Sequence, residues 1–186
     1  MSSIIRVDTL QKPDGSTPTA ADLGIDVSGS VVQAVQQHYG RNSRSGGDSE
    51  SGLYTGSGGI QTSSSSWTDL GMSKDITVQQ GSRVCIFAHI PDIWKTDVGA
   101  SVGIRILIDG TVVHYLTSHF GYAVGGGSTA NERIGNGGGQ FLSQKLNAGT
   151  HIIKIQWAVV SGTVGLHNGH TDPQSETALT ILEIAQ

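Results

Sequence analysis

Between residues 101 and 109 (SVGIRILID), Val102, Ile104, Ile106 and Ile108 fall on one side of an extended chain and Gly103, Arg105, Leu107 and Asp109 on the other. A period of two is that of a β-strand. Asp109-Gly110 joins this run to Thr111–Leu116, and such a pair supplies the positive φ angles that a tight, twisted hairpin requires. A hairpin is predicted there. In His151–Val160, Ile153, Ile155, Trp157 and Val159 face one way and Lys154 and Gln156 the other. Further strands are predicted over Asp75–Val78, Arg83–Ile90, Gln140–Leu146, Thr163–His167 and Thr177–Ala185, with Asn147-Ala148-Gly149 as a second hairpin turn. After residue 40 no segment repeats its apolar positions at helical spacing. Short strands closed by Gly-rich turns predict an all-β fold, an antiparallel β-sandwich of jelly-roll type preceded by an extended N-terminal arm.

The arm is residues 1–40. It opens on a short β-type run, SIIRVDTL, and continues into Lys12-Pro13-Asp14-Gly15-Ser16-Thr17-Pro18, where prolines and the Asp-Gly pair favour turns. Ile4, Ile5, Val7 and Leu10 are its apolar anchors and the expected attachment residues. Residues 41–66 are too rich in Gly and Ser to bury a core by themselves and read as a linker or long surface loop. Residues 67–186 are the sandwich. Its last strand carries Leu179 and Ile181 on one face and Ala178, Leu182 and Ile184 on the other. A strand apolar on both sides is usually buried on both, so Leu179, Ile181, Leu182 and Ile184 are expected at an oligomer interface, with a homotrimer as the closed assembly.

Composition narrows the classes. The 186 residues include no run near the roughly 20 apolar residues that span a bilayer. The opening MSSIIRVDTLQ lacks the basic flank and apolar stretch of a signal peptide, so synthesis in a cytosol is expected, with no membrane partner. A net charge of -4 argues against a surface that tracks phosphates, and no nucleic-acid partner is expected. The single cysteine, Cys85, sits in a strand context, VCIFA, and reads as a small buried side chain.

Candidate chemistry is sparse. His167-Asn168-Gly169-His170 is the tightest histidine cluster, yet a zinc or iron site needs three or more converging ligands, so His167 and His170 read as a polar hairpin turn, with a metal as the minor alternative. His114 and His119 fall on opposite faces of a strand. One histidine per subunit on a threefold axis would complete a three-ligand site. No GxSxG elbow and no persuasive carboxylate pair occurs, so no catalytic residue and no cofactor is assigned. The stretch GGGSTANERIGNGGG lies between strands, unlike a phosphate loop, and reads as a mobile or assembly-ordered loop. Tyr39, Tyr54, Trp94, Phe120 and Tyr122 lie outside or at the ends of the strong runs, where aromatic rings either stack on glycans or pack at strand ends and subunit contacts.

Three stretches carry a resemblance: Ile4–Gln11 followed by Asp14-Gly15-Ser16; Ser66–Gly71 leading into Ile76–Val78; and the ending Ala178–Gln186. They resemble small virion structural proteins of tailed bacteriophages, cyanophages in particular, whose jelly-roll domain is similar to the trimeric complement and tumour-necrosis-factor group. The resemblance implies a non-enzymatic trimeric appendage on the outer surface of the virion. A head decoration (cement) protein is the first expectation, because a small head without repeats has little reach. A short tail fibre or receptor-binding protein is the alternative, and a glycan-degrading enzyme a remote one. The implied partners are further copies of the chain, the major capsid protein or a tail adaptor or baseplate protein, and a host-surface glycan.

Overall fold

The computed structural model describes residues 11–18, 29–39, 60–91, 93–95, 99–120, 132–166 and 177–185. All regular structure among them is β. Two four-stranded antiparallel sheets pack face to face. The first has the order β1 (Val31–Tyr39), β12 (Thr177–Ile184), β4 (Arg83–His89), β9 (Gly139–Leu142). The second runs β3 (Thr68–Val78), β10 (Gly149–Val159), β6 (Val102–Ile108), β7 (Thr111–Phe120).

Alternation decides what lies between them. Val84, Ile86, Leu179 and Ile181 point inward from the first sheet, and Leu70, Met72, Ile76, Ile104, Ile106, Ile153, Ile155 and Trp157 from the second, into one continuous core. Burying each such aliphatic side chain is worth about 1.5–3 kcal/mol. A third sheet, β2 (Ile60–Thr62), β11 (Val164–Leu166), β5 (Ile93–Lys95), β8 (Glu132–Gly135), has short strands. Each follows or precedes a strand of the large sheets after a few residues, so it continues the sandwich where the chain crosses between layers.

The hairpin at Asp109-Gly110 is present: both residues have positive φ, 51° and 79°, and Ile108 pairs with Thr111 across them. Lys12–Ser16 forms a turn, with the Gly15 N–H donating to Lys12 O and the Ser16 N–H to Asp14 Oδ1.

Several expectations are corrected. Val31–Tyr39, assigned to the arm, is a full strand paired along β12, and Tyr39 is buried. Ile60–Thr62, assigned to the linker, pairs with β11. Asn147-Ala148-Gly149 does not turn a hairpin, because β9 pairs with β4 and β10 with β3 and β6; the segment crosses from one sheet to the other. Cys85 alternates with the inward Val84 and Ile86, so it is half-buried on the outer side of the first sheet and not in the core. Part of the glycine-rich stretch is packed: a Cβ on Gly138 would lie 2.2 Å from Ala88 O, so the backbone runs where only glycine fits.

Candidate functional site

The outer side of the first sheet exposes Val31, Phe87 and Leu142 among the described residues. The register aligns Ala34, Leu182, Cys85 and Leu142 in one row across all four strands. Val31, Ile184 and Arg83 line up beside that row on one side, and Gln36, Thr180, Phe87 and Gln140 form the next row on the other. Leu142 is 48% exposed and Val31 54%. Burial pushes the Cys85 thiol up, away from the reactive thiolate.

Beyond the Phe87 row a groove of about 650 Å³ opens, lined by Gln36, His38, Phe87, His89, Asn136, Gln140, Ala178 and Thr180 among others. The Gln36 amide donates to Thr180 Oγ1 at 2.9 Å, and Asn136 Oδ1 accepts the Gly138 N–H at 2.7 Å. His38 and His89 both lie opposite Ala178, one on each side. They are only two, short of the three or more ligands that a metal site needs. No carboxylate lines the groove. The arrangement suits contact with another surface, a shallow apolar face ending in a notch of amide and imidazole groups.

The sequence-predicted interface residues divide. Leu182 and Ile184 are half-buried on the outer face, where a second chain can reach them. Leu179 and Ile181 are fully buried in the chain's own core and cannot meet a partner. The strand is apolar on both sides because one side makes the core and the other makes the outer face. Between them Glu183 points inward and is buried. Its carboxylate accepts hydrogen bonds from the Gln79 N–H and the Gln33 amide, both at 2.7 Å. Burial drives its pKa up, but these bonds, with one from Ser82, outweigh that and hold it below the ordinary value.

Ile4, Ile5, Val7, Leu10, His167 and His170 lie outside the described residues. Among the described residues no three His, Cys, Asp or Glu side chains gather as a metal site. His114 stacks on Phe141 at 4.9 Å. Of the aromatics expected at loop tips, Tyr39 and Trp94 are buried. Tyr39 is anchored, its hydroxyl donating to Ser73 O and accepting the Ser73 N–H, and Trp94 lies against Gly165, which has no side chain to displace the indole. Tyr54 and Tyr122, and the Phe120 side chain, lie outside the described residues. Tyr115, in contrast, is 54% exposed in mid-strand, edge-on to Trp67 with ring centroids 5.7 Å apart. Sequence reading passed over both.

Comparison with protein-family models and with curated proteins finds no match to either.

Proposed function

We propose that this chain is a non-enzymatic assembly module, a homotrimeric appendage on the outer surface of a tailed-phage virion, in which the outer side of the first sheet is the contact between copies. The observation that carries the contact is the apolar row Ala34–Leu182–Cys85–Leu142 with its flanks Val31, Ile184 and Phe87. Four strands of four to nine residues, spaced about 4.8 Å apart and rising about 3.3 Å per residue, give on the order of 450 Å² of flat sheet. That is comparable to the roughly 800 Å² of accessible surface each partner contributes to a standard interface.

Connectivity supports the jelly-roll reading. Setting aside β2, β5, β8 and β11 of the third sheet, the eight other strands switch sheets at every step except the β6–β7 hairpin, four to each sheet, and the first strand lies beside the last. The Gly29 N–H donates to Ala185 O and the Ala185 N–H to Ser30 O. The backbone at Gly29 and Ser30, just ahead of β1, is therefore fixed beside the end of β12, a starting point that suits an arm reaching to a larger structure. The phage assignment rests on the resemblance of the chain ends and of the first core strand. Within it, the decoration role comes first, with the major capsid protein as partner, and the tail-fibre role second, with a tail adaptor or baseplate.

The test is the particle. Virions lacking the protein should burst at lower temperature or milder osmotic shock while still adsorbing to cells, because contacts made to the intact lattice and not to the broken one stabilise it by mass action. Virions that remain equally robust but fail to adsorb select the tail-fibre role. Virions unchanged in both respects refute the proposal.

A further inference from the structure

The outer side of the second sheet carries a different chemistry, and this inference goes beyond the assembly reading without depending on it. The register brings one residue from each strand into a single row: Asp69 of β3, Gln156 of β10, Arg105 of β6 and Tyr115 of β7. The polar members are tied together. Arg105 donates through Nε and Nη2 to Gln156 Oε1 at 3.0 and 2.6 Å, and Gln156 Nε2 donates to Asp69 Oδ1 at 2.8 Å. Lys154 closes the row, its Nζ donating to Asp69 Oδ2 at 2.9 Å.

Trp67 lies over this row. Its ring covers Gly103, where a Cβ would come within 2.9 Å of the indole edge, and the Arg105 guanidinium stacks on it at 4.3 Å from the centroid. The Tyr115 ring stands beside it, inclined at 64° and open to solvent.

We infer that Tyr115, Trp67, Arg105, Gln156 and Asp69 form a flat binding platform for a saccharide, a pyranose chain of a surface glycan. A pyranose presents an apolar C–H face and a rim of hydroxyl groups. It is held by an exposed aromatic ring that covers the face and by planar amide, carboxylate and guanidinium groups that meet the rim. Here those groups are held by one another before any ligand arrives, which lowers the entropy cost of binding. Capacity remains for a ligand: Arg105 Nη1 has donors that the internal bonds do not use, and Asp69, with its side chain 49% exposed, keeps lone pairs on both oxygens. A row serving only solubility has no need of a half-exposed tyrosine packed on a tryptophan. Nucleic acid fits poorly, because two cations and one carboxylate give the row little net charge and the whole chain carries -4.

The fold supplies a reporter. Of the three tryptophans, Trp94 and Trp157 are buried and Trp67 is not, so a ligand on the platform changes the Trp67 component of the fluorescence. The full-length protein is titrated with maltohexaose, cellohexaose, chitohexaose, mannohexaose and an alginate hexamer. At least one is expected to give a saturable change with a millimolar or tighter Kd. Tyr115→Ala and Gln156→Ala should each weaken that binding about tenfold, equivalent to about 1.4 kcal/mol, with near-UV circular dichroism unchanged. Val160→Ser, exposed and outside the platform, should bind as the unmodified chain does. A chain that responds to none of the five sugars overturns the inference, as does a Tyr115→Ala variant that binds with unchanged affinity.

Discussion

Replacing Glu183 tests whether the two sheets are stitched together where the chain turns from β3 into β4. The carboxylate is fully buried, lies on β12, and accepts from Gln79 in the turn and from Gln33 on β1, whose amide also donates to Thr77 O on β3. It thereby joins strands of both sheets. A hydrogen bond to a charged group contributes about 1.5–3 kcal/mol, and a buried donor left without an acceptor costs about 1–3 kcal/mol. Glu183→Ala strips the acceptor from the Gln79 N–H, while Gln33 keeps Thr77 O, so the expected loss is about 2–4 kcal/mol out of a total near 5–15. Glu183→Gln retains the shape, but its NH₂ must face one of the two donors, for a loss of about 1–2 kcal/mol.

The pH dependence separates charge from shape. The folded pKa lies below the ordinary value, so the charged form's contribution is complete above the unfolded pKa near 4.3 and disappears as pH falls through the folded value. Urea denaturation at fixed protein concentration reads both effects. At pH 7 the Glu183→Ala midpoint should fall by about 1–2 M, and the gap between the unmodified chain and Glu183→Gln should narrow toward pH 3. A Glu183→Ala variant within about 0.5 kcal/mol of the unmodified chain, the range typical of ordinary surface changes, refutes the reasoning. A Glu183→Gln gap independent of pH refutes the charge part of it.

Other predictions follow from local geometry. Gly138→Ala places a methyl 2.2 Å from Ala88 O and 3.0 Å from Ile90 N, both backbone atoms; it should cost about 1–3 kcal/mol or more by thermal denaturation, and an unchanged melting temperature contradicts that packing. His151 sits with Nδ1 2.6 Å from Asp109 Oδ2 and Nε2 3.0 Å from Asn147 O, so both nitrogens face acceptors and the doubly protonated ring fits. Burial lowers its pKa, but the bond to Asn147 O and the bond and charge of Asp109 outweigh that and raise it. Its stabilisation is complete below the unfolded value near 6.5 and is lost as pH rises through the higher folded value. The stability difference between the unmodified chain and His151→Gln should therefore shrink from pH 5.5 to pH 8.5, and an NMR titration placing the His151 pKa below 6.5 contradicts it.

How far the sequence could be read depended on whether neighbouring residues decided the matter. Strand positions and inward faces were legible because strict alternation, as in Val102–Ile108, needs no knowledge of the partner strand. Pairing was less so. Asn147-Ala148-Gly149 looks like a hairpin turn locally, yet it spans two layers, and only the register of β9 on β4 reveals that. The Tyr115 platform was hidden for a related reason. A regular hairpin closed at Asp109-Gly110 would set His114 opposite Arg105. The ladder slips between Ile106 and Leu107, so Tyr115 faces Arg105 and joins the outer row, while His114 pairs with Ile106 and stacks on Phe141. Nothing in the string Thr111–Leu116 announces a bulge. The apolar character of both sides of Thr177–Ile184 was visible, but the number of layers was needed to see that Leu179 and Ile181 serve the core and Leu182 and Ile184 the outer face.

The central claim, that the outer side of the first sheet joins copies of the chain, is tested most directly by the mass of the full-length protein in solution. Light scattering at micromolar concentration should give three times the 19.4 kDa of one chain. Leu142→Glu and Leu182→Lys, which place charges in the middle of the apolar row, should each reduce it to a single chain with the circular dichroism spectrum intact. An unmodified protein that is monomeric at that concentration, or a trimer that survives both substitutions, contradicts the account.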